Sequence, residues 1–200
     1  GVVFPESLEE IGEEAFAQCT EITGDIIIPE GTKGIGLYAF GGCGSDIRRL
    51  MINGTTITWN AFYGVTARQI IVGENVNAFT WLEYFDYEQL EILILLQEEQ
   101  LSERLLTWGL SDLKLSCDIA VKENVLEVYE KLRTNNAFLA KIWPEATHTY
   151  YDNGCVVHRE WAELIYYFGN GGKVVVPEGV EYIGWECFEG RSDITEIVFP

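Results

Sequence analysis

The apolar positions of this chain follow a period of two over short stretches and a much longer period over the whole. Pairs such as Ile26 and Ile28, Leu50 and Ile52, and Ile70 and Val72 alternate as a half-buried strand requires. Before each pair runs one phrase: an apolar residue, then x-x-Ile-Gly-x-x-Ala-Phe-x-x-Cys, then Leu/Ile-x-x-Ile-x-Ile and Pro. The first copy uses Leu8, Ile11, Gly12, Ala15, Phe16, Cys19, Ile22, Ile26, Ile28 and Pro29. The second uses Ile35, Gly36, Ala39, Phe40, Cys43, Ile47, Leu50 and Ile52. A third keeps Ile57, Ala61, Phe62, Ile70 and Val72, with Val65 in the cysteine slot, and a fourth is eroded to Val76, Phe79, Tyr84, Tyr87, Leu90, Leu93 and Leu95. Residues 174–200 restore the pattern, with Cys187 in the alanine slot and Arg191 in the cysteine slot.

A period of roughly 22 to 24 residues is that of a stacked-coil solenoid, in which no coil buries its apolar side alone. The Ile-x-Ile pairs are predicted to point into the stack on parallel strands, and the phenylalanines to form an internal ladder. The glycine after Ile11, Ile35 and Ile183 is predicted to permit a tight or left-handed turn into a short helical segment carrying Ala-Phe. Between the repeat runs, Leu101, Leu105 and Trp108 have helical spacing. Val125, Val128, Tyr129 and Leu132 predict an amphipathic helix, with "AFLAKIWP" as a second short one stopped before Pro144.

The repeated phrase resembles the consensus of the BspA-type (Treponema-type) leucine-rich repeats over residues 2–95 and 173–200. "DNGCVVHREWAELIYYFGNGGKVVVPEGV" is similar to the hairpin module that precedes a fresh run of such repeats, although Asn153 sits inside its first turn. The expected fold is α+β: a leucine-rich-repeat solenoid of parallel strands with short helical turns, interrupted by an α-helical insert and a β-hairpin. The expected domains are 1–117 (solenoid), 118–145 (helical insert) and 146–200 (hairpin module and a second repeat run). The handedness and curvature of such a solenoid come from the resemblance. The terminal "ITEIVFP" continues naturally into the initial "VVFPESLEEIG", which reads as a piece of a longer tandem array or as coil ends able to stack between molecules.

The residue between each inward pair should point outward from the strand face. These are Val3, Ile27, Met51, Ile71, Ile94, Val175 and Val198, and all are apolar. Solvent favours polar residues at such positions, so the row implies either a cover from within the protein or a partner-binding face.

Charge narrows the partners. With 13 basic and 32 acidic residues the formal charge is -19, which repels nucleic-acid backbones. No apolar run reaches the length of a membrane span, since "EILILL" is too short. Five cysteines without a C-x-x-C pair read as free thiols, and the Asn53 sequon matters only in a secretory pathway.

Chemical motifs are weak. "GIGLYA" (Gly34 to Ala39) matches a dinucleotide fingerprint, yet the repeat accounts for Gly36 better. Cys155 and His158 form a lone C-x-x-H with only His148 besides, short of a four-ligand metal site and lacking the signatures of a thiol enzyme. No catalytic residue, cofactor or metal is expected. The resemblance implies a noncatalytic protein-binding or adhesion scaffold of a bacterial surface or secreted protein, with a host or extracellular-matrix protein as partner. The alternatives are a purely structural spacer and, third, a thiol enzyme on Cys155 and His158.

Overall fold

A computed structural model describes residues 1–44, 46–54, 56–76, 84–96, 117–121, 141–142, 148–184 and 187–200. The chain divides into two compact units, Gly1–Ala140 and Lys141–Pro200.

The first unit contains β1 (Glu10–Ile11), β2 (Thr23–Ile28), β3 (Gly34–Ile35), β4 (Asp46–Ile52), β5 (Thr56–Ile57), β6 (Ala67–Val72), β7 (Ile92–Leu95) and β8 (Asp118–Val121). The long strands stack in the order β2-β4-β6-β7-β8 and the short ones in the order β1-β3-β5. Every pairing is parallel: Ile26 lies beside Leu50, Leu50 beside Ile70, Ile70 beside Leu93 and Leu93 beside Ile119. This is the coil-on-coil register that the repeat requires. The inward residues Ile26, Ile28, Leu50, Ile52, Ile70, Val72, Leu93 and Leu95 are all buried.

The phenylalanine ladder forms as the repeat predicts. Phe16 and Phe40 stack with ring centroids 5.1 Å apart and planes 9° apart, and Phe40 and Phe62 repeat this at 5.2 Å and 7°. Phe85 continues the ladder at 6.0 Å, tilted by 39°. The eroded fourth copy therefore contributes Phe85, which the alignment on Tyr84 and Tyr87 passes over; Phe79 lies outside the described residues. Phe4 closes the other end edge-on, 5.7 Å from Phe16.

The segment carrying Ala-Phe is a succession of tight turns, not the short helical piece expected. Within one coil, Ala17 N–H donates to Glu14 C=O and Cys19 N–H to Phe16 C=O. The alternate amides point across to the next coil: Glu14 to Leu37 C=O at 2.9 Å, Phe16 to Ala39 C=O at 2.7 Å, and Gln18 to Gly41 C=O at 2.8 Å. The second coil repeats this with Phe40 to Ala61 C=O and Gly42 to Tyr63 C=O, each at 2.8 Å. A helix would have spent those amides internally; left-handed residues at Glu14 (φ 55°) and Gln18 (φ 59°) turn them outward. The Gly of Ile-Gly has a different role from the one expected. Gly36 is not left-handed, but a Cβ there would lie 2.6 Å from Glu13 N, so its requirement is close approach of the neighbouring coil. Left-handed residues stand instead before the alanine, at Glu14 and Tyr38 (φ 55° and 50°), and before the cysteine position, where Gln18, Gly42, Gly64 and Gly190 all have φ between 59° and 68°.

Among the described residues there is no α-helix. The expected insert at 118–145 begins instead as β8, which pairs with the otherwise open edge of β7, and residues 141–142 form β9 (Lys141–Ile142). An unpaired parallel edge offers a row of amides and carbonyls that Asp118-Ile-Ala-Val, alternating and β-branched, can satisfy. The helical patterns at Leu101 to Trp108 and Val125 to Leu132 lie outside the described residues.

In the second unit, β10 (Thr149–Asp152) and β11 (Cys155–His158) make an antiparallel hairpin, and β12 (Glu163–Tyr167) returns beside β11. The first turn is Asn153-Gly154 with φ of 49° and 88°, the two-residue mirror-image turn that matches strand twist. Parallel pairing begins at β12, where Leu164 lies beside Ile183 of β14 (Tyr182–Ile183). Gly184 N–H donates to Leu164 C=O as Gly36 N–H donates to Ile11 C=O, so the hairpin's last strand stands where a preceding coil would. Strand β13 (Gly172–Val175) pairs in parallel with β15 (Ile194–Val198). Arg191, in the cysteine slot, ties the hairpin to the coil: its Nη1 donates to Tyr167 C=O at 3.1 Å, Nη2 donates to Gly169 C=O, and the guanidinium lies 4.8 Å from the Tyr167 ring centroid.

Candidate partner-binding surface

The strand row occupies the register its spacing requires. Ile27 lies beside Met51, Met51 beside Ile71, and Ile71 beside Ile94; in the second unit Val175 lies beside Val198. Its exposure varies steeply. Val3 is 96% exposed and Val175 47%, Ile27 and Val198 are half-buried, and Met51, Ile71 and Ile94 are buried at 6%, 1% and 0%. The middle of the row is thus occupied within the chain, and surface remains at Val3 and Ile27 in the first unit and at Val175 and Val198 in the second.

The same outward phase carries a buried polar line beside the covered stretch. Arg49 is 0% exposed, its Nε donates to Gln69 Oε1 at 2.9 Å, and Arg49 Nη1 lies 3.8 Å from Asp25 Oδ2. A charge of this kind is held in a dry place only by partners. The alternation rule marked these positions as outward but not as covered.

A second row lies on the turns. Leu37, Tyr38 and Gly41 of the second coil align with Trp59, Asn60 and Tyr63 of the third, while the first coil has Glu13, Glu14 and Ala17 at those slots. Tyr38 and Tyr63 meet edge-on at 5.8 Å, Tyr63 and Tyr84 stack at 6.1 Å, and Trp59 lies 4.9 Å from Tyr84. Tyr38 fits because Gly41 has no side chain: a Cβ there would meet the Tyr38 side chain at 3.2 Å. Trp59 and Tyr63 are 49% and 51% exposed, and Glu13, Glu14, Asp86 and Glu88 beside the row are exposed too. The signal was in the sequence as large aromatics at slots where the other aligned coils place Glu, Leu, Asn, Ala or Gly.

Cys155 and His158 do not come together as a thiol and its base. Cys155 and His158, three apart on β11, face opposite sides: Cys155 packs with Val157, Leu164, Tyr167 and Val174, while His158 stacks on Trp161 at 3.9 Å and its Nδ1 accepts the Trp161 N–H at 3.3 Å. Burial pushes the Cys155 thiol up to about 11, away from a nucleophile's range. Burial likewise pushes Cys43 to about 11 and Cys117 to about 12. The Gly36 amide of the "GIGLYA" stretch is spent on Ile11 C=O, and the sequon residue Asn53 is buried.

With the coil register, ladder and turn geometry in place, the family comparison is decisive: the BspA type Leucine rich repeat region matches in six copies over residues 1–99 and 163–200. The chain belongs to the BspA-type leucine-rich repeat family. No curated protein and no solved structure matches it. The match gives the BspA-type repeats the same two runs that the phenylalanine ladder and the β12 to β15 pairing mark in space. Among the described residues no helix is long and apolar enough to cross a membrane.

Proposed function

We propose that this BspA-type repeat protein is a noncatalytic binding scaffold that holds another protein against the turn face of its first unit, with adhesion at the cell surface or after secretion as its setting. The observation that carries the reading is the row of Tyr38, Trp59, Tyr63 and Tyr84, about half exposed at its centre on a backbone locked coil to coil. Tyr and Trp are the residues that dominate binding energy at interfaces, and a rigid platform loses little entropy when a partner docks. The outward strand row Val3, Ile27, Met51, Ile71, Ile94, Val175 and Val198 is the second candidate surface, with Val3 and Ile27 as its accessible part in the first unit. A host or extracellular-matrix protein is the partner class proposed.

The test is binding of the purified chain to an immobilised panel of extracellular-matrix proteins. The expected result is saturable binding to at least one, abolished in Trp59→Ala/Tyr63→Ala with unchanged melting temperature. Binding insensitive to that variant but lost in Val3→Lys moves the site to the strand row. Saturation of no panel member leaves the solenoid as a spacer that projects another part of the protein.

A further inference from the structure

On the reading that the turn face binds protein, we infer that its target is a basic peptide segment, whose arginine or lysine side chains lie on Trp59 and Tyr63 while carboxylates on both flanks hold the charge. The argument rests on how the charges of the first unit are divided. The turn segments 11–19, 35–43, 57–65 and 84–90 contain no lysine or arginine. The described cations of that unit stand outside these segments and engage carboxylates: Lys33 with Glu9 at 2.9 Å, Arg48 with Asp25 at 2.6 Å, Arg49 near the same Asp25, and Arg68 between Asp46 and Glu91, each at 3.7 Å.

Among the described residues, the turn face thus presents aromatic rings together with carboxylates whose own segments hold no cation. Glu13 and Glu14 stand at the first coil, whose Glu14 amide bonds Leu37 C=O directly beside Tyr38. Asp86 and Glu88 stand at the other end, two and four positions beyond Tyr84 in sequence, with Glu88 N–H donating to Asp86 Oδ1 at 3.1 Å. An aromatic face attracts a cation through its quadrupole, and arginine gains most because its plane also stacks. Carboxylates at either end of the row add long-range attraction, strengthened by the formal charge of -19. An acidic or neutral segment would gain the stacking alone.

The experiment is calorimetric titration of the full chain with three synthetic octapeptides, alternating Gly with Arg, Glu or Ser, and with a neutral oligosaccharide. The Gly-Arg peptide is expected to bind, and Trp59→Ala or Tyr63→Ala to weaken it by roughly three- to thirtyfold. Glu13→Gln/Glu14→Gln and added salt should weaken it further. Equal binding by parent and Trp59→Ala would reduce the effect to diffuse attraction by a polyanion and overturn the inference. Binding of the oligosaccharide with no binding of Gly-Arg would overturn it in favour of a sugar-stacking surface. If a matrix protein from the panel depends on Trp59 and Tyr63 yet is not displaced by saturating Gly-Arg peptide, the protein-binding reading stands and the basic-segment inference fails.

Discussion

At the residue scale, the ladder phenylalanine has the most to lose. Phe40 is fully buried and stacked on both sides, by Phe16 and Phe62. Its truncation removes two ring faces at once, and the close packing of the turns around it limits collapse into the space left. Phe40→Ala should cost on the order of 3 to 5 kcal/mol in denaturant unfolding, with Phe40→Leu losing much less. An effect below about 1 kcal/mol would show that the ladder is decorative. Phe16, Phe40 and Phe62 were legible because they repeat in a phrase; Phe85, which also meets Phe62, was not, because in the fourth copy the phrase has eroded and two tyrosines bracket it. The left-handed positions were legible only where they are written as glycine, at 42, 64 and 190; at Glu14, Gln18 and Tyr38 no residue type announces them.

At the scale of the strand, alternation states which way a side chain points and nothing about what stands above it. Met51 and Ile71 point outward, as their spacing says, and are nevertheless buried. Outward direction is local, set by the pleat, whereas cover depends on chain far away in sequence. Met51→Lys and Ile71→Lys should therefore lower the melting temperature sharply, since an unpaired ammonium in a dry site costs several kcal/mol, on the order of 2 to 5. Val3→Lys should leave it unchanged within about 0.5 kcal/mol, because Val3 is open to solvent. Equal melting of all three variants would mean that the middle of the row is open in solution. The first residues of the expected helical insert are a strand for a related reason. Asp118 to Val121 is written at the head of a helix-like pattern, and the vacant edge of β7 decides its conformation instead.

At the scale of the whole molecule, the cysteines divide into one that meets solvent and several that report on integrity. Cys19 is exposed, whereas Cys43, Cys117, Cys155 and Cys187 are buried. The buried group includes thiols raised to about 11 and about 12, chiefly because a thiolate there would be desolvated. Near pH 8 a thiol reagent should modify Cys19 promptly and the other four only as their units open. Cys43 and Cys117 then report on the first unit, and Cys155 and Cys187 on the second. Mass spectrometry of a time course reads this directly, and a Cys155 that reacts as fast as Cys19 would restore the thiol-enzyme alternative.

The turn zipper also bears on how such proteins change over generations. Each coil donates its turn amides to the next and accepts from the one before, as Phe16 does toward Ala39 and Phe40 toward Ala61. A duplicated coil slipped into the gene would find, above and below it, the same donors and acceptors as the coil it displaced. Unequal recombination can therefore lengthen or shorten the stack without redesigning a core. Surface rows such as Tyr38, Trp59, Tyr63 and Tyr84 can then be rewritten coil by coil, because the inter-coil bonds at these slots, such as Gly42 to Tyr63 and Gly64 to Tyr84, are made by the main chain and not by the side chains.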